Sequence, residues 1–438
     1  MSDSESEGVR ALFHPATPPR PGLVARRGKL GQARSVHARG KSREEPHGAA
    51  AATPHSCVAL LQSLDGMALR RELFPVAKTT IFLNNAGESP LTTAFHERLA
   101  AYVATALAAP HARPSTVRQE VRAALAALLG GAPEEYALVT STAQGLNAVA
   151  AGVAWRAGDN VVLPGGGEHW SNMFPWLSLQ AARGVEVRLA PLDADGAVPP
   201  EALAALVDAR TRVVATAHVS FSSGFRCDLA RLSALVKARN AEALLVVDGI
   251  QGAGACPLDV AADGVDVYAA GGFKWLLGMP GTGFLWVRSA AQARIAPSAP
   301  GMFAADQAVT TAVSYHGDAR RYEGGSIAYS LFDAWLAGLA VLRELGVARI
   351  HARNLALTSQ LLAGLAAKPH VRVLSPVGCE GARSQIVVVT LGCAARNEAC
   401  VRALLAAGVV VALRAGNVRI APNFFNTEAE IERLLELL

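Results

Sequence analysis

Residues 243–288 read ALLVVDGIQGAGACPLDVAADGVDVYAAGGFKWLLGMPGTGFLWVR, and three short apolar runs within them decide the fold. Runs 243–248, 265–269 and 283–288 are too short for helices, rich in Val and Leu, and bounded by Gly, Pro and Asp. They read as strands buried on both faces. The last two are separated by a glycine-rich stretch with no room for a crossover helix, so one of them is expected to run antiparallel.

The same grammar repeats on the N-terminal side. Strand-like runs occur at 80–84, 137–141, 160–164, 186–190 and 212–218, with helical patterns at 116–130, 143–156, 172–183, 198–209 and 228–240. Alternation of this kind implies an α/β protein with a mostly parallel sheet covered on both faces. After residue 326 the pattern changes. Helical stretches at 327–345 and 347–366 are followed by strands at 371–375, 384–391, 409–413 and 417–421, with helices at 396–407 and 428–438. This reads as a smaller α+β domain spanning 326–438, after a large domain spanning 56–325. No internal repeat is visible.

Residues 1–55 are rich in Arg, Pro, Ser, Gly and Ala and read as a disordered basic extension. They hold nine Lys/Arg and five Asp/Glu, so they account for +4 of the net charge of +5 and leave the remainder near neutral. That argues against nucleic acid as a partner. No apolar run reaches the length of a membrane span. The cysteines (Cys57, Cys227, Cys256, Cys379, Cys393, Cys400) form no CxxC pair and have no histidine at metal-ligand spacing. Free thiols, a reducing cytoplasm and no metal are expected.

Six lysines occur, and only Lys274 stands in an apolar, glycine-rich setting just after a buried strand. Burying an ammonium is costly unless its pKa falls, and only a neutral amine attacks an aldehyde. A Schiff-base lysine needs such a place, although a lysine snorkelling from a strand end would look similar. Asp248 ends an apolar run, at the strand terminus where open α/β sheets bind ligands. It is placed either to hold a pyridine nitrogen protonated or to cap the next turn. Gln251 follows within hydrogen-bonding reach of the same place. Ser141 and Thr142, at a strand-to-helix junction, form an anion site with the following N–H groups, or an ordinary N-cap. His169 and Trp170 follow another strand, and either ring is suited to stack on a flat cofactor.

Together these stretches resemble the class-V aminotransferases of pyridoxal-5′-phosphate (PLP) fold type I, which include cysteine desulfurases, kynureninases and isopenicillin-N epimerases. The matching segments are IFLNNAGESP (81–90), TSTAQGLN (140–147), EHWSN (168–172), HVSFSSGFRCDL (218–229), VDGIQGAG (247–254), FKWLLGMPGTGF (273–284), YEGGS (322–326) and VRIAPNFFNTEAEI (418–431). The resemblance implies a seven-stranded-type sheet, PLP as cofactor, an amino-acid substrate and a homodimer with shared sites. By it Lys274 carries the cofactor, Asp248 pairs with the pyridinium and Gln251 faces the ring hydroxyl. His169 stacks on the ring, and Ser141, Thr142 and Ala143 hold the phosphate. Ser326 reaches the neighbouring subunit's phosphate, and Asn85 and Arg419 bind substrate.

Three departures stand out. Where cysteine desulfurases have SGHK, this chain has Gly271, Gly272 and Phe273 before the lysine, so side-chain phosphate contacts are lost. Phe221 replaces an Asn. The stretch LRAGNVRIAPN runs from Arg414 to Arg419 without the desulfurase's nucleophilic cysteine. The resemblance is therefore nearest the isopenicillin-N epimerase-like branch. Aminotransferase or lyase chemistry at Cα is the favoured expectation. Epimerisation or racemisation is an alternative, and a catalytically inactive regulatory protein on the same scaffold is another.

Overall fold

The computed structural model describes residues 66–193, 196–306 and 312–438. The expected disordered extension, 1–55, and Cys57 lie outside the described residues.

Seven strands form the main sheet: β1 (Tyr136–Val139), β2 (Asn160–Pro164), β3 (Glu186–Ala190), β4 (Thr211–Ala217), β5 (Leu244–Asp248), β6 (Val267–Gly271) and β7 (Gly283–Val287). Their order is β1-β7-β6-β5-β4-β2-β3. All pairs are parallel except those of β7, which runs antiparallel to both β1 and β6. Of the two strands joined without a crossover helix, it is the second that reverses.

Successive side chains on each strand enter different layers, as a pleat requires. Leu245 and Val247 of β5 join one core cluster, and Leu244 and Val246 join the other. The first layer takes in α1 (Thr93–Ala108), α2 (Val117–Leu129), α6 (Leu229–Arg239) and α7 (Tyr329–Leu345). The second takes in α3 (Thr142–Gly152) and α4 (Trp170–Arg183). A short helix, α5 (Pro200–Ala205), joins β3 to β4. Every residue of β5, β6 and β7 is buried. At about 1.5–3 kcal/mol per buried aliphatic side chain, these strands are hard to displace. Helix α1 has no counterpart in the sequence reading. Its apolar stripe is thin: Phe95 is buried, Leu99 and Tyr102 only half-buried, and Ala and Thr fill half of its positions.

A second, antiparallel sheet has the order β8-β9-β11-β10, from β8 (Arg372–Val373), β9 (Val387–Thr390), β10 (Ala412–Arg414) and β11 (Asn417–Ile420). Helices α8 (Val347–Ala366) and α10 (Glu428–Leu437) cover it, and α9 (Ala394–Ala406) contributes Leu404 to the same core. The strand expected at 80–84 is the two-residue Ile81–Phe82. It pairs in parallel with Val409–Val410, on the C-terminal layer and not on the main sheet. Asn84 continues that contact by bridging to Ala421. No helix among the described residues is long and apolar enough to cross a membrane.

Candidate active site

A cavity of about 520 Å³ opens at the carboxyl ends of the central strands, where an open α/β sheet places its ligands. Its lining includes Ser141, Thr142, Ala143, His169, Asp248, Gln251, Lys274 and Arg419. With Trp170, nine of the eleven residues singled out in the sequence therefore converge on one space from strands and helices far apart in the chain.

Lys274 sits in a braced loop after β6. Gly272 N–H donates to Thr282 O at 2.8 Å and Gly278 N–H to Gly272 O at 2.8 Å. The indole N–H of Trp275 donates to Gln251 Oε1 at 2.8 Å, and that of Trp335 on α7 to Leu276 O at 2.8 Å. Leu277 takes a positive φ of 58°, a conformation that the surrounding bonds enforce. With its neighbours pinned, Lys274 Nζ itself makes no hydrogen bond or ion pair among the described residues; it lies 5.6 Å from the Phe273 ring centroid. Burial first, then Arg419, lowers its pKa to about 8 against the opposing pull of Asp248. Lys237, by contrast, spends its ammonium on Asp266 and Ala243 O.

Asp248, the last residue of β5, is buried and accepts the Ile250 N–H at 3.0 Å through Oδ1, leaving Oδ2 without a partner among the described residues. Burial raises its pKa to about 6. Glu168 has its carboxylate pinned by Ala217 N–H at 2.9 Å and Asn172 Nδ2 at 2.9 Å, and burial raises it to about 7. His169 caps α4, accepting Ser171 N–H at Nδ1 at 3.2 Å, which puts the proton of its neutral ring on Nε2. Partial burial and then Lys274 lower its pKa. Phe221 stands edge-on to it with centroids 5.2 Å apart. Trp170, the other candidate stacking ring, lies on Phe174 at 5.1 Å and is 61% exposed at the rim.

The opposite requirement, a place for an anion, is met at the N-terminus of α3. Ser141 is its N-cap and accepts Gln144 N–H at 3.1 Å. The N–H groups of Thr142 and Ala143 carry no hydrogen bond to another described residue, and the helix dipole favours negative charge there. Thr142 Oγ1 accepts Gly271 N–H at 2.9 Å, so its hydroxyl proton is free to donate. Gln251 gives one Nε2 proton to Ala86 O at 3.0 Å and keeps the other.

Arg419 on β11 is 2% exposed. Its Nη1 donates to Phe221 O at 3.1 Å, and its Nε has no partner. Arg414 also lines the cavity and makes only a 3.4 Å bond to its own neighbour's carbonyl, Leu413 O. Two expected residues stand outside the lining. Asn85 is fully buried behind Ala86, giving its amide to Ala421 O at 2.9 Å and leaving Oδ1 unpartnered. Ser326 is exposed and away from this cavity, on a loop held by Glu323 against Arg118 and Arg122. Sequence reading missed Trp335, which fixes the lysine loop from 61 residues away and leaves no local signal.

The segment between Arg414 and Asn417 is a two-residue turn. Arg414 pairs with Asn417, and Ala415 and Gly416 both take positive φ, 48° and 75°. No cysteine among the described residues lines the cavity: Cys227 and Cys256 are buried elsewhere, and Cys379, Cys393 and Cys400 lie outside the lining. No cluster of metal-ligating side chains occurs among the described residues.

Comparison with known proteins follows the same lines. A probable cysteine desulfurase of Methanothermobacter thermautotrophicus is 31% identical over 56% of this chain and 60% of its own length. A cysteine desulfurase of Dickeya dadantii is 33% identical over 62% and 66%. The chain thus spans under two thirds of the length of these relatives. An uncharacterized aminotransferase of Bacillus subtilis, YcbU, is 28% identical over 84% of this chain and 95% of its own. Among solved structures, a lysine-to-alanine mutant of C-DES with glycine covalently linked to its PLP cofactor superposes with a TM-score of 0.77 at 23% identity, covering 84% of this chain and 98% of that one. The cysteine desulfurase CsdA of Escherichia coli gives 0.76 at 21% identity over 85% and 97%. These structures share the fold. The family model for aminotransferase class-V matches residues 81–431, and the chain belongs to that family.

Proposed function

We propose that this protein is a PLP-dependent enzyme acting at Cα of an amino-acid substrate, by aminotransferase or lyase chemistry. The observation that carries this reading is the amine of Lys274, unpaired and lowered to about 8, in one cavity with a buried carboxylate that keeps one oxygen free. Bound PLP supplies an electron sink for the charge left at Cα. The groups present fit it: an amine for its aldehyde, the Asp248 carboxylate to accept from its ring nitrogen, and free N–H groups at α3 to donate to its phosphate.

The protein's own groups then divide the work. Lys274 would anchor the cofactor through Nζ and would serve as the base that takes the α-proton. Asp248 would hold the proton on the ring nitrogen. His169 would cover the ring, and Gln251 has a second Nε2 proton to give the ring hydroxyl. Ser141, Thr142 and Ala143 would hold the phosphate without side-chain help from Gly271, Gly272 or Phe273. Arg419 would take the substrate carboxylate through a two-pronged pair, and Asn85, outside the lining, would act on substrate only through Ala86 beside it. Transamination and elimination both need only this base and sink. The tight turn at Ala415–Gly416 supports the reading that no cysteine nucleophile takes part.

A homodimer accompanies this reading, with Ser326 reaching the phosphate in the partner's site; its exposed position outside its own cavity supports this. Five free thiols among the described residues support a cytoplasmic setting. We also assign 56–325 as the cofactor-binding domain and 326–438 as the smaller one.

The deciding experiment incubates purified protein with single amino acids, with and without a keto-acid acceptor, and identifies products by mass and chirality. Amino transfer or loss of a β-substituent supports the proposal. Inversion at Cα as the sole change would move the protein to the epimerase branch. A PLP-treated protein without a visible absorption band would be a regulatory protein on this scaffold.

A further inference from the structure

The hairpin of β10 and β11 sets two guanidinium groups side by side. Its register pairs Ala412 with Arg419, Leu413 with Val418 and Arg414 with Asn417. Side chains alternate between faces, so Ala412 and Arg414 share one face, and Arg419, opposite Ala412, shares it too. Arg414 and Arg419 are therefore diagonal neighbours, at about 7–8 Å between their backbones. Both line the cavity that holds Lys274 and Asp248.

Neither arginine meets a carboxylate among the described residues; their protein bonds are to the carbonyls of Phe221 and Leu413. Elsewhere the protein pairs its buried arginines: Arg118 and Arg122 both end on Glu323. Asp248 is the one acid in the described lining of the cavity, and Lys274 is its cationic neighbour there. Arg419 is an uncompensated buried cation, which is costly, and the exposed Arg414 beside it adds repulsion. A single α-carboxylate offsets one of these charges. Trp170 and Phe221, in the same lining, present apolar surface and no counter-charge.

We infer that the substrate carries two anionic groups: the α-carboxylate, held by buried Arg419, and a second on the side chain, held by the more open Arg414. The class is an amino acid with a side-chain carboxylate, sulfinate or phosphonate. This rests on the amino-acid reading of the site given above, and Arg414 is the residue that sets specificity within it.

Calorimetric titration of the PLP-treated protein tests it, with glutarate against butyrate and succinate against propionate as probes. The dicarboxylates are expected to bind at least about tenfold more tightly than the monocarboxylates, the size of one charge-assisted hydrogen-bonded contact. In Arg414→Gln that ratio falls to near one, and the kcat/KM ratio of glutamate to glutamine falls with it. Arg419→Gln weakens both classes of probe. Equal binding of the two classes by the wild type overturns the inference. So does an unchanged ratio in Arg414→Gln, or a loss of PLP affinity in that variant without a change in the ratio. PLP uptake is followed separately by visible absorbance. A dicarboxylate preference without uptake keeps the two-anion site and sinks the cofactor reading, and uptake without the preference does the reverse.

Discussion

One wall of the cavity rests on β5, β6 and β7, strands with every residue buried, while another is a hairpin of three- and four-residue strands closed by a two-residue turn. The first carries Asp248 and Lys274 on backbone locked by the Trp275, Trp335 and Gly272 bonds. The second carries Arg414 and Arg419, whose guanidinium groups lie at the ends of long side chains. On the proposed function the first wall handles protons, and proton transfer tolerates little misplacement, so its groups gain from a rigid seat. Recognition of an anion tolerates more, and a pre-organised planar fork on a short hairpin suffices.

The comparison breaks first at Lys274. Lys274→Ala is expected to abolish activity and the borohydride-reducible link to PLP while the far-UV circular dichroism stays native. A reducible adduct at another lysine would show the chemical wall to be misassigned. Asp248→Asn comes next: PLP uptake persists, but kcat falls on the order of 10²-fold or more, roughly 3 kcal/mol of barrier. Turnover within a few-fold of wild type would remove Asp248 from the chemistry.

The hairpin wall should respond in KM instead. Arg419→Lys keeps the charge but loses the planar fork, and is expected to raise KM for an α-amino acid by about tenfold with little change in PLP affinity. If Arg414→Lys weakens α-carboxylate binding and Arg419→Lys does not, the two roles are exchanged.

A pH profile joins the two walls. The Lys274 amine is lowered to about 8 by burial and then by Arg419, and only its neutral form captures PLP. Below that value the capture rate by apoenzyme should rise about tenfold per pH unit, then level off above it. Arg419→Gln removes a neighbouring cation, so the levelling point should move to higher pH; stopped-flow absorbance would detect a shift in the wrong direction. The smallest effect is expected for Gly416→Ala. Its φ of 75° disfavours a Cβ by about 1 kcal/mol, which denaturant unfolding would report with the chemical wall untouched.

Much of the chemical wall was legible because its signals are local. An apolar run ending in Asp248, and one lysine in a glycine-rich apolar setting, can be read within a few residues of each place. The sequence by itself determined most of the succession of strands and helices, helix α1 excepted, the presence of one reversed strand in the last pair, and which residues carry groups suited to chemistry. Tertiary structure alone decided the rest. Ile81–Phe82 joined Val409–Val410 across more than three hundred residues, Trp335 reached back to Leu276, and Asn85 and Ser326 fell outside the lining. It also put Arg414 and Arg419 on one face, since that depends on a two-residue turn fixing the register. Periodicity is written along the chain and survives in any context, whereas register, packing partners and shared cavities depend on contacts between segments whose sequences carry no mark of one another.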